Sequence, residues 1–138
     1  MPKNLKLNKP LLLKAVAWLK EHPTQCNMGN WFSSRNALDE LPGGCGTAAC
    51  LAGAICCVAL ANKPSVLSKQ QDDGKLDTEN RGRRLAGLTM GQANSLFFVA
   101  NWPDKYTRMY QRGKDEERLS IIAAAVGARV RYFLRTGK

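Results

Sequence analysis

The stretch CGTAACLAGAICCVALAN, from Cys45 to Asn62, holds no charged side chain. Thr47 can cap a helix running to about Ala61, with Asn62 and Pro64 as its stop signals. Cys50, Gly53, Ala54, Cys57 and Ala61 recur at helical spacing and make a face of small residues, while Leu51, Ile55 and Val58 form a bulky side. A helix apolar all round is the buried centre of a bundle, and a small-residue face lets a neighbour approach closely. At about 15 residues it is short for a hydrocarbon core of roughly 30 Å. The expected fold class is all-α, built around this helix.

The flanks agree. A first helix is expected from Lys9 or Pro10 to His22-Pro23, since Pro10 suits a first turn and Pro23 disfavours helical geometry at His22. Leu12, Val16 and Leu19 are its apolar stripe, with Leu11, Ala15 and Trp18 beside it. Turns follow at Asn27-Met28-Gly29-Asn30 and at Leu41-Pro42-Gly43-Gly44. Residues 63–80 are polar, contain Asp72-Asp73-Gly74 and read as a surface loop. A short helix should run from Arg81 to Leu88, and Thr89 with Gln92 is a capping-box pair opening another. Pro103 starts a further helix with Tyr106 and Tyr110, which Gly113 is expected to break. Asp115, Glu116 and Glu117 then favour the start of a last helix with the stripe Leu119, Ile122, Val126, Val130 and Phe133, and Gly137 is its stop. No segment alternates at period two. The chain, 1–138, is expected to be one compact bundle of about five to seven helices.

With 138 residues, 44% of them hydrophobic and 23% charged, the chain can bury a core, so general disorder and a need for disulfide or metal staples are excluded. No run approaches the roughly 18 apolar residues of a membrane span, so no membrane partner is expected. Lys14 and Lys20 interrupt the apolar stretch after Leu11, and no small-x-small site closes it, which argues against a secretory signal. The five cysteines are odd in number and four lie between Cys45 and Cys57. Reduced thiols in a cytoplasmic setting explain them better than a disulfide framework.

Two nucleophilic or metal-binding arrangements can be weighed. Cys45 would sit at a helix start behind Pro42-Gly43-Gly44, where dipole and unpaired amides stabilise a thiolate, and His22 is the sole imidazole that could serve it as base. A cysteine-dependent enzyme using Cys45 is therefore the alternative from the catalytic class. The bland explanation is that Cys45 and Cys50 pack while the glycines turn the chain. His22, Cys26, Cys45 and Cys50 lack the tight paired spacing of structural zinc, and Asp72, Asp73 and Asp77 lack the alternation of a calcium loop. No metal or cofactor is expected.

Arg81 to Phe98 has the outline of a helix-turn-helix, with a basic helix, the Gly87-Leu88-Thr89 turn and a capped second helix. Arg83 stands where a small residue usually packs, and the second helix has no arginine or lysine, so two helices joined by a tight turn is the plainer account. Charge is the stronger signal, with a net +10. Lys3, Lys6 and Lys9 lie in an N-terminal stretch without an acid, Arg81, Arg83 and Arg84 make a second cluster, and Arg129, Arg131, Arg135 and Lys138 a third. Arg131 and Arg135 are one turn apart and point away from the apolar stripe. Such an excess attracts phosphates or acidic proteins, though many small proteins carry a merely solvated basic surface.

Glu21-His22-Pro23, Asn27-Met28-Gly29 with Trp31, the block Cys45-Gly46-Thr47-x-x-Cys50-x-Ala52-Gly53, Gly87-Leu88, Gln92-Ala93, Leu96-Phe97 and Trp102-Pro103 together resemble a family of uncharacterised small bacterial and phage proteins. The resemblance spans most of the chain and implies a shared compact fold and a fixed loop-to-helix element, but no reaction. Ala54 departs from the bulky residue usual after Ala-Gly. The leading expectation is a non-enzymatic binding or regulatory protein meeting nucleic acid or an acidic protein through Lys3, Lys6, Lys9, Arg81, Arg83, Arg84, Arg131 and Arg135. A phage or host-interaction factor acting through protein contacts alone is a further alternative.

Overall fold

A computed structural model of the chain describes residues 6–21, 32–33, 48–49, 51–61, 66–67, 69–70 and 73–138. Among them the helices are α1 (Lys9–Glu21), α2 (Leu51–Leu60), α3 (Thr78–Ala86), α4 (Met90–Phe97), a 3-10 turn (Val99–Asn101), α5 (Asp104–Asp115) and α6 (Leu119–Thr136). The fold is the expected all-α bundle. α1 starts at Lys9 because Asn8 caps it: its side-chain oxygen accepts the Leu11 N–H at 3.1 Å and its carbonyl the Leu12 N–H at 3.1 Å. Residues Leu51 to Cys57 of α2 are all buried, as a central helix requires. Leu51, Ala52, Ala54 and Ile55 meet Leu12, Val16 and Leu19 of α1, Leu96 and Phe97 of α4 and Val126, Val130 and Phe133 of α6 in one core.

Several boundaries differ from the sequence expectation. α2 begins at Leu51, not Thr47, because Ala48–Ala49 (β2) pairs antiparallel with Phe32–Ser33 (β1), Phe32 opposite Ala49. That non-local partner satisfies backbone groups a helix would otherwise use. α3 begins at Thr78, inside the expected 63–80 loop, with Asp77 as its cap (Asn80 N–H to Oδ1, 3.4 Å). The same segment buries Leu67 completely and Leu76 nearly so, against Cys56 and Cys57. Gly113 does not break α5. It is buried one turn from the helix end, where a Cβ would lie 2.8 Å from Ile122 Cγ1 and 2.9 Å from its backbone nitrogen. Glycine serves there to let α6 approach. The chain turns later, at Glu116 and Glu117, and α6 starts at Leu119, so the three acids close α5 instead of opening α6.

Cys56 and Cys57 are free and buried. Loss of solvation pushes both thiols from 9.0 up to about 12, with Arg81 lowering Cys56 slightly and Cys56 raising Cys57 further. A thiol this weakly acidic holds almost no thiolate near neutrality, and the thiolate is the nucleophile. We expect these two positions to resist a thiol reagent in the native protein and to react on denaturation. Mass spectrometry of labelled peptides checks this; rapid native labelling of Cys57 would show that the Leu67–Leu76 cover opens readily.

Candidate basic interface

Three contacts bring distant parts of the chain to one end of the bundle. The Asn8 N–H donates to the Ala86 carbonyl at 2.8 Å, docking the segment before α1 on the end of α3. Gly87, the left-handed residue that stops α3 (φ 71°), makes room for that segment, since a Cβ there would overlap the Lys6 carbonyl. The third contact involves Arg129. Its Nη2 donates to the Ser95 carbonyl (3.2 Å), the Ser95 Oγ (2.7 Å) and the Lys138 carbonyl (2.8 Å), tying the end of α6 to α4. α4 itself follows Gly87 after two residues, capped by Thr89 and Gln92 in the expected reciprocal box. Its eight residues are about 12 Å long. The start of α1, the end of α3, all of α4 and the end of α6 therefore share one region.

Lys6, Lys9, Arg84, Arg135 and Lys138 are exposed there, and Arg131 is exposed with its guanidinium further back, over Gly127 at the middle of α6. Among the described residues the ion pairs are Arg112–Glu116 and Arg118–Glu116, at the opposite end of α5 and α6. None of these six cations takes part in either. Described acids lie mostly elsewhere: Glu21 closes α1, Asp77 and Glu79 open α3, and Asp115 to Glu117 close α5. Asp104, at the start of α5, comes near this end, because α5 runs back along α6 with the Tyr106 and Tyr132 ring centroids 5.4 Å apart. Arg135 lies over the Tyr132 ring at 5.6 Å, and Arg131 folds back toward Gly127. Both stay open to solvent.

Not every arginine counted from the sequence belongs to this surface. Arg129 is completely buried, with Nε and Nη1 unpaired and the Tyr132 ring 5.8 Å away. Burial lowers its pKa, and the phenols of Tyr106 and Tyr132 oppose that shift. The guanidinium stays charged nonetheless, as arginine does in proteins. Its burial was readable in part: position 129 is three residues after Val126 and four before Phe133, on the apolar face. Arg83 is half-buried, donates from Nη1 to the Leu88 carbonyl at 3.3 Å and has a buried, unpaired Nε, so it braces the α3–α4 turn. Arg81 is exposed one turn back along α3, close enough to influence the Cys56 thiol. Lys3, His22, Cys26, Cys45 and Cys50 lie outside the described residues.

Among the described residues no group of three or more His, Cys, Asp or Glu side chains is placed to hold a metal ion, and no helix is long and apolar enough to cross a membrane. Asp77 has its carboxylate engaged at the start of α3, with Asn80 Nδ2 at 2.7 Å. The aromatic residues near the basic end are structural. Phe97 is buried, and Trp102 donates its indole N–H to the Leu96 carbonyl at 2.9 Å while meeting Tyr110 edge to face. Searches against protein-family models, curated proteins and solved structures find no match to this chain.

Proposed function

We propose that this protein is a non-enzymatic, cytoplasmic binding or regulatory protein that holds nucleic acid by its phosphates at the basic end of the bundle. The observation that carries the proposal is the segregation of charge. Lys6, Lys9 and Arg84 lie toward one end of α4 and Arg135 and Lys138 at the close of α6, with no carboxylate partner among the described residues, while most described acids lie at the other ends of their helices. Like charges gathered at one end repel one another, and a polyanion removes that repulsion while releasing its own counterions.

The test is a titration with mixed-sequence DNA and RNA at low and at physiological salt, repeated for the double variant Arg131→Glu, Arg135→Glu. Both side chains are exposed, so the fold should persist, with only a cation–π contact of about 0.5–1 kcal/mol lost at Tyr132. We expect affinity to fall steeply with salt. The double variant should bind at least roughly tenfold more weakly, with a salt slope shallower by about two phosphate contacts. Failure of the native protein to bind at low salt would overturn the proposal in favour of an acidic protein partner. Binding untouched by the charge reversal would mean that the contact lies on another face.

A further inference from the structure

Resting on that reading, we propose that the occupant of the basic end is duplex DNA, and that α4 lies in its major groove as the second helix of a helix-turn-helix. The α3–Gly87–α4 unit turns Gly82, Ala86, Leu88, Ala93 and Leu96 inward. This leaves Met90, Gly91 and Asn94, which are neighbours on one helix face, exposed and outward. Met90 is 56% exposed, the most exposed of the large hydrophobic side chains among the described residues. A Cβ placed on Gly91 would meet nothing within 4 Å, so the face is free and low.

Three physical arguments select duplex DNA. The B-form major groove, roughly 12 Å wide, admits an α-helix of about 10–12 Å diameter, whereas the RNA major groove is too deep and narrow. The cations flank α4 instead of lying on it: Lys6, Lys9 and Arg84 toward its leading end, and Lys138, whose carbonyl accepts from Ser95 Oγ, near its trailing end, with Arg135 one turn back on α6. Phosphates line both edges of a groove, so flanking charge with an uncharged centre matches them. Single-stranded nucleic acid is disfavoured because Phe97 and Trp102 are buried, which denies it stacking platforms there. On α4 the exposed Asn94 amide has the donor and acceptor that adenine presents a partner for in the major groove, and the Met90 side chain suits a thymine methyl.

The experiment compares Gly91→Glu with Lys20→Gln, which changes net charge by the same amount on the last turn of α1. Gly91→Glu adds a good helix former in open space, so thermal stability should be kept or raised. Binding is measured to a mixed-sequence DNA duplex, to its single strands and to the RNA duplex of matching sequence. We expect Gly91→Glu to weaken duplex DNA binding at least roughly tenfold and Lys20→Gln less than about twofold, with the DNA duplex preferred over both other forms. Equal effects of the two variants, or equal binding of single strands or duplex RNA, would overturn α4 docking in a DNA groove. If Arg131→Glu with Arg135→Glu still abolished binding in that case, phosphate binding at the basic end would stand while this inference fell. Loss of binding to every nucleic acid in the native protein would remove both.

Discussion

Gly82→Leu should lower the melting temperature by roughly 10 °C, the largest stability loss expected of any substitution on α3. Gly82 is buried where α3 crosses α2, and a Cβ there would stand 3.0 Å from the Ala52 carbonyl oxygen and 3.3 Å from the Ala52 Cα. Backbone cannot step aside as a flexible side chain could, so a leucine forces the helices apart. Overpacking of this kind costs about 1–3 kcal/mol and sometimes more, and a domain of this length loses roughly 3 °C per kcal/mol. Gly82→Ala is the calibrating variant. Its single methyl needs a shift of a few tenths of an ångström, and the gain in helix propensity of about 1 kcal/mol offsets the tightness. A Gly82→Leu protein melting with the native one would refute the close α2–α3 crossing. The sequence placed such a crossing on Gly53, which is indeed buried. A close contact between the two helices lies at the neighbouring Ala52, opposite Gly82.

Stability should also fall sharply with alkali. In the folded protein Cys56 and Cys57 keep their protons to about pH 12, whereas the unfolded chain loses them around 9.0. Between those values the unfolded state binds fewer protons, so raising the pH draws the equilibrium toward it; below 9.0 both states hold the protons and these thiols add no pH dependence. Each thiol contributes a slope of about 1.4 kcal/mol per pH unit, so the pair can remove several kcal/mol before pH 11. Urea denaturation across that range, on the native chain and on the double variant Cys56→Ala, Cys57→Ala, isolates the effect. The variant should start less stable and lose stability more slowly as the pH rises. Parallel curves would mean that the two sulfurs are solvated in the folded state.

Local signals settled much of this protein. The apolar run after Cys50 and the 3.6-residue stripes establish an all-α bundle, because amphipathic periodicity is a property of neighbours in sequence. The Thr89–Gln92 box and the left-handed stop at Gly137 were equally readable, since caps form between residues three or four apart. Tertiary structure decided whatever depended on a distant partner. Pairing with Phe32–Ser33 holds Ala48–Ala49 out of α2, and the approach of Ile122 turns Gly113 from an expected breaker into a packing site. Ser95 and Lys138 draw Arg129 inside, removing a charge that a count assigns to the surface. The meeting of Lys6 with the α3–α4 turn rests on one backbone hydrogen bond across 78 positions and on a glycine with room for no side chain. Composition could supply the positive charge, but its concentration at one end required the helices to be folded against each other, because only packing determines which helix ends are neighbours.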